Sequence, residues 1–242
     1  MPRLHTHGQH FLRSPRLVAE LVGHSNIRRN DTVYDLGAGS GVITSVLARR
    51  CRSVVAVEIE PGALTKLRQN VEHLDNVTIL AKDILNVESP NEPYKIFANI
   101  PFHLSAQVVR KFTDASQPPT SMYLITQKQF ARKLVPGDDH FTSQLSAQIS
   151  PFFTARIRRP LHKTDFTPPP AVDTVLLEIK PRSEPLLATD KRADYQAFVG
   201  RCFEDQKFFA LAPRQVAKLS PELRPSQLTP EQWVALYHAA IA

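Results

Sequence analysis

The chain has 242 residues, 42% of them hydrophobic, with 30 Lys and Arg against 23 Asp and Glu, and its pI is near 9.6. That is enough chain for one sizeable core plus a small appended domain, and no run approaches the roughly 20 apolar residues a bilayer span needs. Residues 1–9 are polar with no apolar signal core, so the composition excludes a membrane-spanning protein and predicts a soluble, cytoplasmic one. Two cysteines, Cys51 and Cys202, give neither a disulfide framework nor a metal-ligand spacing, and read as free thiols in helices.

The formal charge of +7 permits nucleic acid as a partner, and its placement says more than its total. Residues 1–30 carry five Lys and Arg against one acid, and residues 127–165 carry seven against three; elsewhere the charges nearly cancel. If both segments border the ligand-binding loops, they form a phosphate-binding rim, with Arg132 and Lys133 as the adjacent pair expected to touch RNA.

In chain order, Gly8-Gln9-His10-Phe11-Leu12 reads as a loop leading into a helix, which Ser14 caps and Pro15 opens. Leu17 with Leu21, and Val18 with Val22, put one apolar face on that helix. Thr32 to Leu36 reads as a strand, Gly37-Ala38-Gly39-Ser40-Gly41 as a tight turn, and Val42 to Arg50 as a helix. Such a turn lets a backbone approach a ligand closely, and the helix start behind it offers unpaired N–H groups. Gly41 falls one residue early for the dinucleotide fingerprint, which disfavours a pyrophosphate reader.

A second strand, Val54 to Glu58, ends in an acid at the offset where a carboxylate can accept ribose hydroxyls, with Glu60 as understudy. Pro61 opens a helix through Asn70. The strand Val77 to Leu80 leads to Asp83, which could accept from an adenine amine, and Tyr94 to Ala98 leads to Asn99-Ile100-Pro101-Phe102. Asp35, Glu58, Asp83 and Asn99 thus recur at four successive strand ends, a pattern that favours a site over four separate helix caps. The tetrapeptide places an amide, a carbonyl and an aromatic ring together, which suits a flat base with an exocyclic amine, and Pro101 stiffens it.

Leu104 to Phe112 is amphipathic and Met122 to Thr126 is an apolar strand. The runs 152–157 and 174–179 look like final strands, paired antiparallel across a Phe166 to Asp173 turn that could offer Phe166 as a second aromatic wall. Past Lys180-Pro181 the pattern turns helical: Asp194 to Phe203, a helix near Pro213 to Leu219, and one opened by Thr229 and Gln232 at capping-box spacing.

Taken together, Gly8-Gln9-His10-Phe11-Leu12, Asp35-Leu36-Gly37-Ala38-Gly39-Ser40-Gly41, Val57-Glu58, Asp83, Asn99-Ile100-Pro101-Phe102 and Phe166-x-Pro-x-Pro-x-Val172-Asp173 resemble the rRNA adenine dimethyltransferases over residues 8 to about 180. Two branches share these motifs: the Erm enzymes, which methylate 23S rRNA and give macrolide, lincosamide and streptogramin B resistance, and the housekeeping enzymes of the small subunit. Asn-Ile-Pro-Phe looks like Erm, whereas small-subunit enzymes usually have Asn-Leu-Pro-Tyr.

The resemblance implies an α/β class I (Rossmann-like) S-adenosylmethionine-dependent methyltransferase fold with a seven-stranded, mostly parallel sheet. It implies a catalytic domain over 1–180 and a helical domain over 181–242. S-adenosylmethionine would lie along His10, Leu12, Gly37, Gly39, Glu58, Asp83 and Asn99, with no metal. Catalysis would fall to Asn99, Ile100, Pro101, Phe102 and Phe166, acting on the N6 amine of an adenine in 23S rRNA before full subunit assembly, by a monomer. The alternatives are a 16S rRNA dimethyltransferase, a non-catalytic RNA-binding protein on the same fold, and a dinucleotide oxidoreductase, which would leave Asn99 to Phe102 unexplained.

Overall fold

A computed structural model describes residues 10–135, 142–220 and 222–241. The strands are β1 (Phe11–Leu12), β2 (Thr32–Leu36), β3 (Ser53–Glu58), β4 (Val77–Ala81), β5 (Lys95–Asn99), β6 (Ser121–Gln127), β7 (Phe153–Leu161), β8 (Phe166–Thr167) and β9 (Thr174–Pro181). The helices are α1 (Pro15–Gly23), α2 (Val42–Ala48), α3 (Pro61–Val71), α4 (Ser105–Thr113), α5 (Lys128–Leu134), α6 (Gln144–Ile149), α7 (Arg192–Glu204), α8 (Gln206–Leu211) and α9 (Pro230–Ile241). Seven strands form one sheet in the order β4-β3-β2-β5-β6-β9-β7, parallel from β4 to β6 and antiparallel between β6 and β9. This is the Rossmann-like methyltransferase fold with the expected strand number.

The order explains where a ligand can go. β2 and β5 are sheet neighbours although two strands intervene in sequence, so the connections diverge there and open a crevice beyond the carboxyl ends of the strands. The strands beneath it are buried along nearly their whole length, without the alternation of a half-exposed strand. α1 starts as expected: the Ser14 side chain accepts from Leu17 N, Pro15 opens the helix, and Val18, Leu21 and Val22 are buried.

One polar pairing is built into the sheet. Tyr123 on β6 stands opposite Glu178 on β9 and donates to its carboxylate at 2.6 Å, while Asn26 N donates to the Tyr123 hydroxyl at 2.9 Å and Arg158 lies 3.6 Å from the second carboxylate oxygen. Burial and the Glu178 charge push the phenol well above its ordinary pKa, so it stays a donor.

The short ribbon of β1 and β8 was not expected. Leu12 pairs with Phe166 and Phe11 with Thr167. Successive side chains alternate, so Leu12 and Phe166 point inward to the cluster of Phe97, Tyr123 and Leu176, while Phe11 stays 44% exposed. The segment from His10, read as a loop, is therefore a strand end, and the Phe166–Asp173 turn begins with a strand. Cys202 lies in α7, but Cys51 sits just past α2 rather than within a helix; both are free, and burial pushes the Cys51 thiol up to about 11. Among the described residues, no helix is long and apolar enough to cross a membrane.

By contacts the chain divides into two compact units. One runs to Ala131 and takes in Ile157–Ile179; the other holds Arg132–Arg156 and Lys180 onward. The helical unit therefore includes a segment that a division at residue 180 assigns to the first domain. Its core is aromatic: Tyr195 stands edge-on to Tyr237 at 5.5 Å, and Phe203 stacks on Trp233 at 5.8 Å. Thr229 and Gln232 cap α9 reciprocally, as their spacing predicts. The helix expected near Pro213 to Leu219 is absent. The helix lies earlier, as α8, because the Asp205 side chain accepts from Lys207 N and Phe208 N, and the chain then passes through turns to Lys218 at φ 56°.

Candidate active site

A pocket opens at the carboxyl ends of β2, β3, β4 and β5, and its lining includes His10, Leu12, Gly37, Gly39, Glu58, Asp83 and Asn99. Ile100, Pro101 and Phe102 line it too, so the fold brings together every residue singled out for cofactor and base except Phe166. Gly8 and Gln9 lie outside the described residues.

The floor is the glycine turn after β2. Gly39 has φ +57° and Gly41 φ +89°, in the left-handed region that side chains avoid. A Cβ on Gly39 would meet the Phe11 ring at 3.2 Å, and one on Gly41 would meet Leu67 at 2.7 Å. The turn is held by hydrogen bonds from Gly37 N and Ala38 N to the Val57 carbonyl at 2.8 and 2.9 Å. Glu58, buried at the end of β3, accepts from Gly39 N through one oxygen and from Ile59 N and Glu60 N through the other, all at 2.8 Å. A carboxylate has about four lone-pair sites and three are taken, so about one remains for a ligand hydroxyl. The acid thus binds the turn to the next strand while facing the pocket, a second duty that spacing does not reveal.

Asp83 likewise does two things. One oxygen caps the short helical turn Ile84–Asn86 through Leu85 N at 2.8 Å, so the bland reading of a cap is correct, yet the residue also lines the pocket. Glu60 caps α3 through Gly62 N and Ala63 N, and those bonds hold its carboxyl below the usual range. Asp35 departs from the pattern of polar residues at four strand ends: it is fully buried and does not line the pocket. Thr44 Oγ1 donates to one of its oxygens at 2.6 Å, the other has no partner, and burial raises its pKa to about 7, with the nearby Glu58 charge adding to the rise.

The wall is the loop after β5. The Asn99 amide nitrogen donates to the His10 carbonyl at 2.6 Å, which turns the amide oxygen to the opposite side. The Pro101 carbonyl accepts from Leu104 N at 2.9 Å and closes the turn Phe102–Leu104. The His10 ring stacks on Phe102, with centroids 5.4 Å apart and planes inclined by 27°, and its Nδ1–H donates to the Pro168 carbonyl at 2.8 Å.

Phe166, expected as a second aromatic wall, does not stand at the site. It is 0% exposed, packed in the core, and absent from the pocket lining, because as the inward residue of β8 it is turned away. Two residues that the sequence reading passed over stand at the pocket instead: Phe11 against Gly39, and Ile59, an apolar side chain left 60% exposed beside Glu58. Exposed apolar side chains at a pocket mouth are a cue for a flat partner, but nothing in strand periodicity separates them from core residues. Arg132 and Lys133 are exposed on the last turn of α5 and do not line the pocket. Among the described residues, no group of three His, Cys, Asp or Glu could hold a metal.

The arrangement can hold a nucleoside. A turn without side chains gives close backbone approach, Glu58 and Asp83 offer acceptors, and Phe11 and Ile59 give apolar surface. Beside it stands a separate oxygen-and-ring wall at Asn99 and Phe102.

The family model for ribosomal RNA adenine dimethylase matches residues 4–208. The chain belongs to that family. Its members are enzymes that use S-adenosylmethionine. A mitochondrial ribosomal RNA small subunit methyltransferase of Arabidopsis thaliana is 33% identical over 81% of this chain and 52% of its own length. An rRNA adenine N-6-methyltransferase of Saccharopolyspora erythraea is 31% identical over 81% of this chain and 51% of its own length, so the chain spans about half the length of these two relatives. The crystal structure of the 23S rRNA methyltransferase ErmE superposes with a TM-score of 0.81 at 26% identity, covering 96% of this chain and all of that one.

Proposed function

We propose that this protein transfers methyl groups from S-adenosylmethionine to the N6 amine of an adenine in 23S rRNA, the modification that gives macrolide, lincosamide and streptogramin B resistance. The observation that carries the chemistry is the orientation of the Asn99 amide. With its nitrogen spent on the His10 carbonyl, its oxygen is the group left to face a ligand, and an oxygen there accepts from an amine.

The cofactor supplies a methyl group that is already strongly electrophilic. The protein's task is to present the weak nucleophile. An adenine amine has its lone pair delocalised into the ring, so positioning dominates. The Asn99 oxygen accepts one amine hydrogen. The Pro101 carbonyl already accepts Leu104 N, which leaves the Ile100 carbonyl as the second acceptor. Accepting both hydrogens draws the nitrogen toward sp³ and directs its lone pair outward for in-line attack. Phe102 stacks the base, which must be unpaired or flipped to enter. The proton leaves an acidic ammonium afterwards, so no general base is needed first. Glu58 and Asp83 hold the ribose and adenine of the cofactor against the glycine turn.

Phenylalanine at position 102 supports the 23S target, as does the likeness to ErmE over 96% of this chain and all of that one. The small-subunit reading keeps its own support in the 33% identity to the mitochondrial small-subunit enzyme. The protein acts as a cytoplasmic monomer on RNA not yet buried in the assembled subunit. Primer extension on ribosomal RNA from cells with and without the gene tests this. A new stop in 23S rRNA is expected; a stop in 16S rRNA alone would move the enzyme to the small subunit, and none in either would overturn the proposal.

A further inference from the structure

We infer that the His10 imidazole is a positioning residue for Phe102: it holds one face of that ring so that the other is fixed for the target adenine. The inference rests on the proposed reading of the Asn99 loop as the acceptor site.

His10 is tied at three points. Its carbonyl accepts from the Asn99 amide at 2.6 Å, its Nδ1–H donates to the Pro168 carbonyl at 2.8 Å, and its ring stacks on Phe102 at 5.4 Å. The Pro168 carbonyl can only accept, so the second bond places the ring proton on Nδ1 and fixes the ring's plane without help from Phe102, while the first holds the His10 backbone. Phe102 is less constrained. It opens a one-turn helix whose N-terminal side has no side-chain cap, and it is only half-buried, so the imidazole supplies a wall its own segment lacks. A stacking platform that must first be ordered loses part of what the stack contributes, because immobilising a side chain costs free energy.

The position matters because the other aromatic candidate is unavailable. Phe166 is enclosed in the core, so the ring that meets Phe102 is His10, which leaves the opposite face of Phe102 for the base. The same residue sets the Asn99 amide through its backbone. One residue on β1's leading edge therefore registers both the acceptor oxygen and the stacking ring, and the Pro168 bond ties that register to the strand pair of β1 and β8.

The test separates ring from hydrogen bond. His10→Ala should slow single-turnover methyl transfer about 3- to 10-fold at saturating cofactor and RNA, the range of an aromatic pair. His10→Phe should restore most of the rate. His10→Asn should behave like alanine. In a Phe102→Leu background, His10→Ala should cost less than about 2-fold, since coupled residues do not add. An equal loss in both backgrounds, rescue by asparagine but not phenylalanine, or a loss confined to cofactor affinity would each overturn the proposal. A readout without the reaction completes it: in protein carrying 4-fluorophenylalanine, His10→Ala should shift and broaden the Phe102 fluorine resonance, identified by its absence in Phe102→Leu. An unmoved resonance would sink the idea. If the wild type transfers no methyl to ribosomal RNA, the acceptor reading falls instead, and the resonance still decides whether His10 sets the ring.

Discussion

The glycine-turn half of the pocket and the Asn99 half are built on different principles. Around the turn, polar groups are committed to one another: Glu58 accepts three backbone N–H groups, and the Val57 carbonyl accepts two. That half is shaped by contiguous strand ends and would keep its form with no ligand. Around Asn99, the wall is assembled from segments that lie far apart in sequence: the Asn99 amide nitrogen is spent on the His10 carbonyl, and Phe102 stacks on the His10 ring. The first half is a seat. The second is a wall that, on the proposed reading, presents acceptors and a ring face to the target amine.

The largest expected effect breaks the Asn99 half alone. If Asn99 accepts from the amine as it reacts, Asn99→Ala should lower single-turnover methyl transfer on the order of 100-fold, as losing one preorganised hydrogen bond does elsewhere. RNA affinity in a filter-binding assay should change little, because phosphate contacts supply most of it. Equal losses in both assays would mean Asn99 is a structural residue.

Glu58→Ala tests the committed half. Hydrogen bonds to a charged group contribute about 1.5 to 3 kcal/mol each, so calorimetry should give an affinity for S-adenosylmethionine weakened by about 10-fold or more. The same variant should melt at lower temperature even without ligand, since Gly39 N, Ile59 N and Glu60 N lose their acceptor. Weaker binding with an unchanged melting temperature would show that Glu58 does not hold the turn.

Asp35 sharpens the contrast through pH. Its folded pKa, about 7, is raised above the ordinary value of 3.8, so the folded state holds a proton that the unfolded state releases. Its stabilising contribution is therefore complete below about pH 4 and is lost as pH rises through about 7. Asp35→Asn should gain on the wild type between pH 5 and pH 8, by on the order of 1 kcal/mol or more in denaturant titrations. A gap that stays constant with pH would mean the carboxyl is not protonated in the fold.

The smallest effect lies outside both halves. Replacing Arg132 and Lys133 together should flatten the salt dependence of RNA binding by about two units if both touch phosphate. An unchanged slope would make their exposed helix turn an idle surface.

How much of this the sequence disclosed follows the same division. The strands, the glycine turn and the acids at strand ends were readable because each is local: alternation, glycine spacing and the offset to Glu58 all lie within a few residues. The duties of Glu58 and Asp83 toward the backbone were half readable, since a cap and a ligand look alike in one dimension. The partnership of His10, Phe102 and Pro168 was not readable, because it joins residues up to 158 positions apart. Phe166 was misjudged for a related reason. Its place beside a proline run suggested a presented ring, and only pairing with Leu12 fixes which face of the ribbon it takes. The helix expected near Pro213 failed because Asp205, a better cap, starts a helix earlier.

If the proposed acceptor role holds, the orientation of the Asn99 amide also carries a rule of selection. Two oxygens facing one amine grip it only while it has hydrogens to give. A purine with a carbonyl at that position, such as guanine or hypoxanthine, would set oxygen against oxygen and be turned away without any steric barrier. Once methylated, adenine retains one hydrogen and can turn to be gripped again. After a second transfer it retains none, and the same acceptors that held the substrate repel the product. The loop would thus count to two and let go.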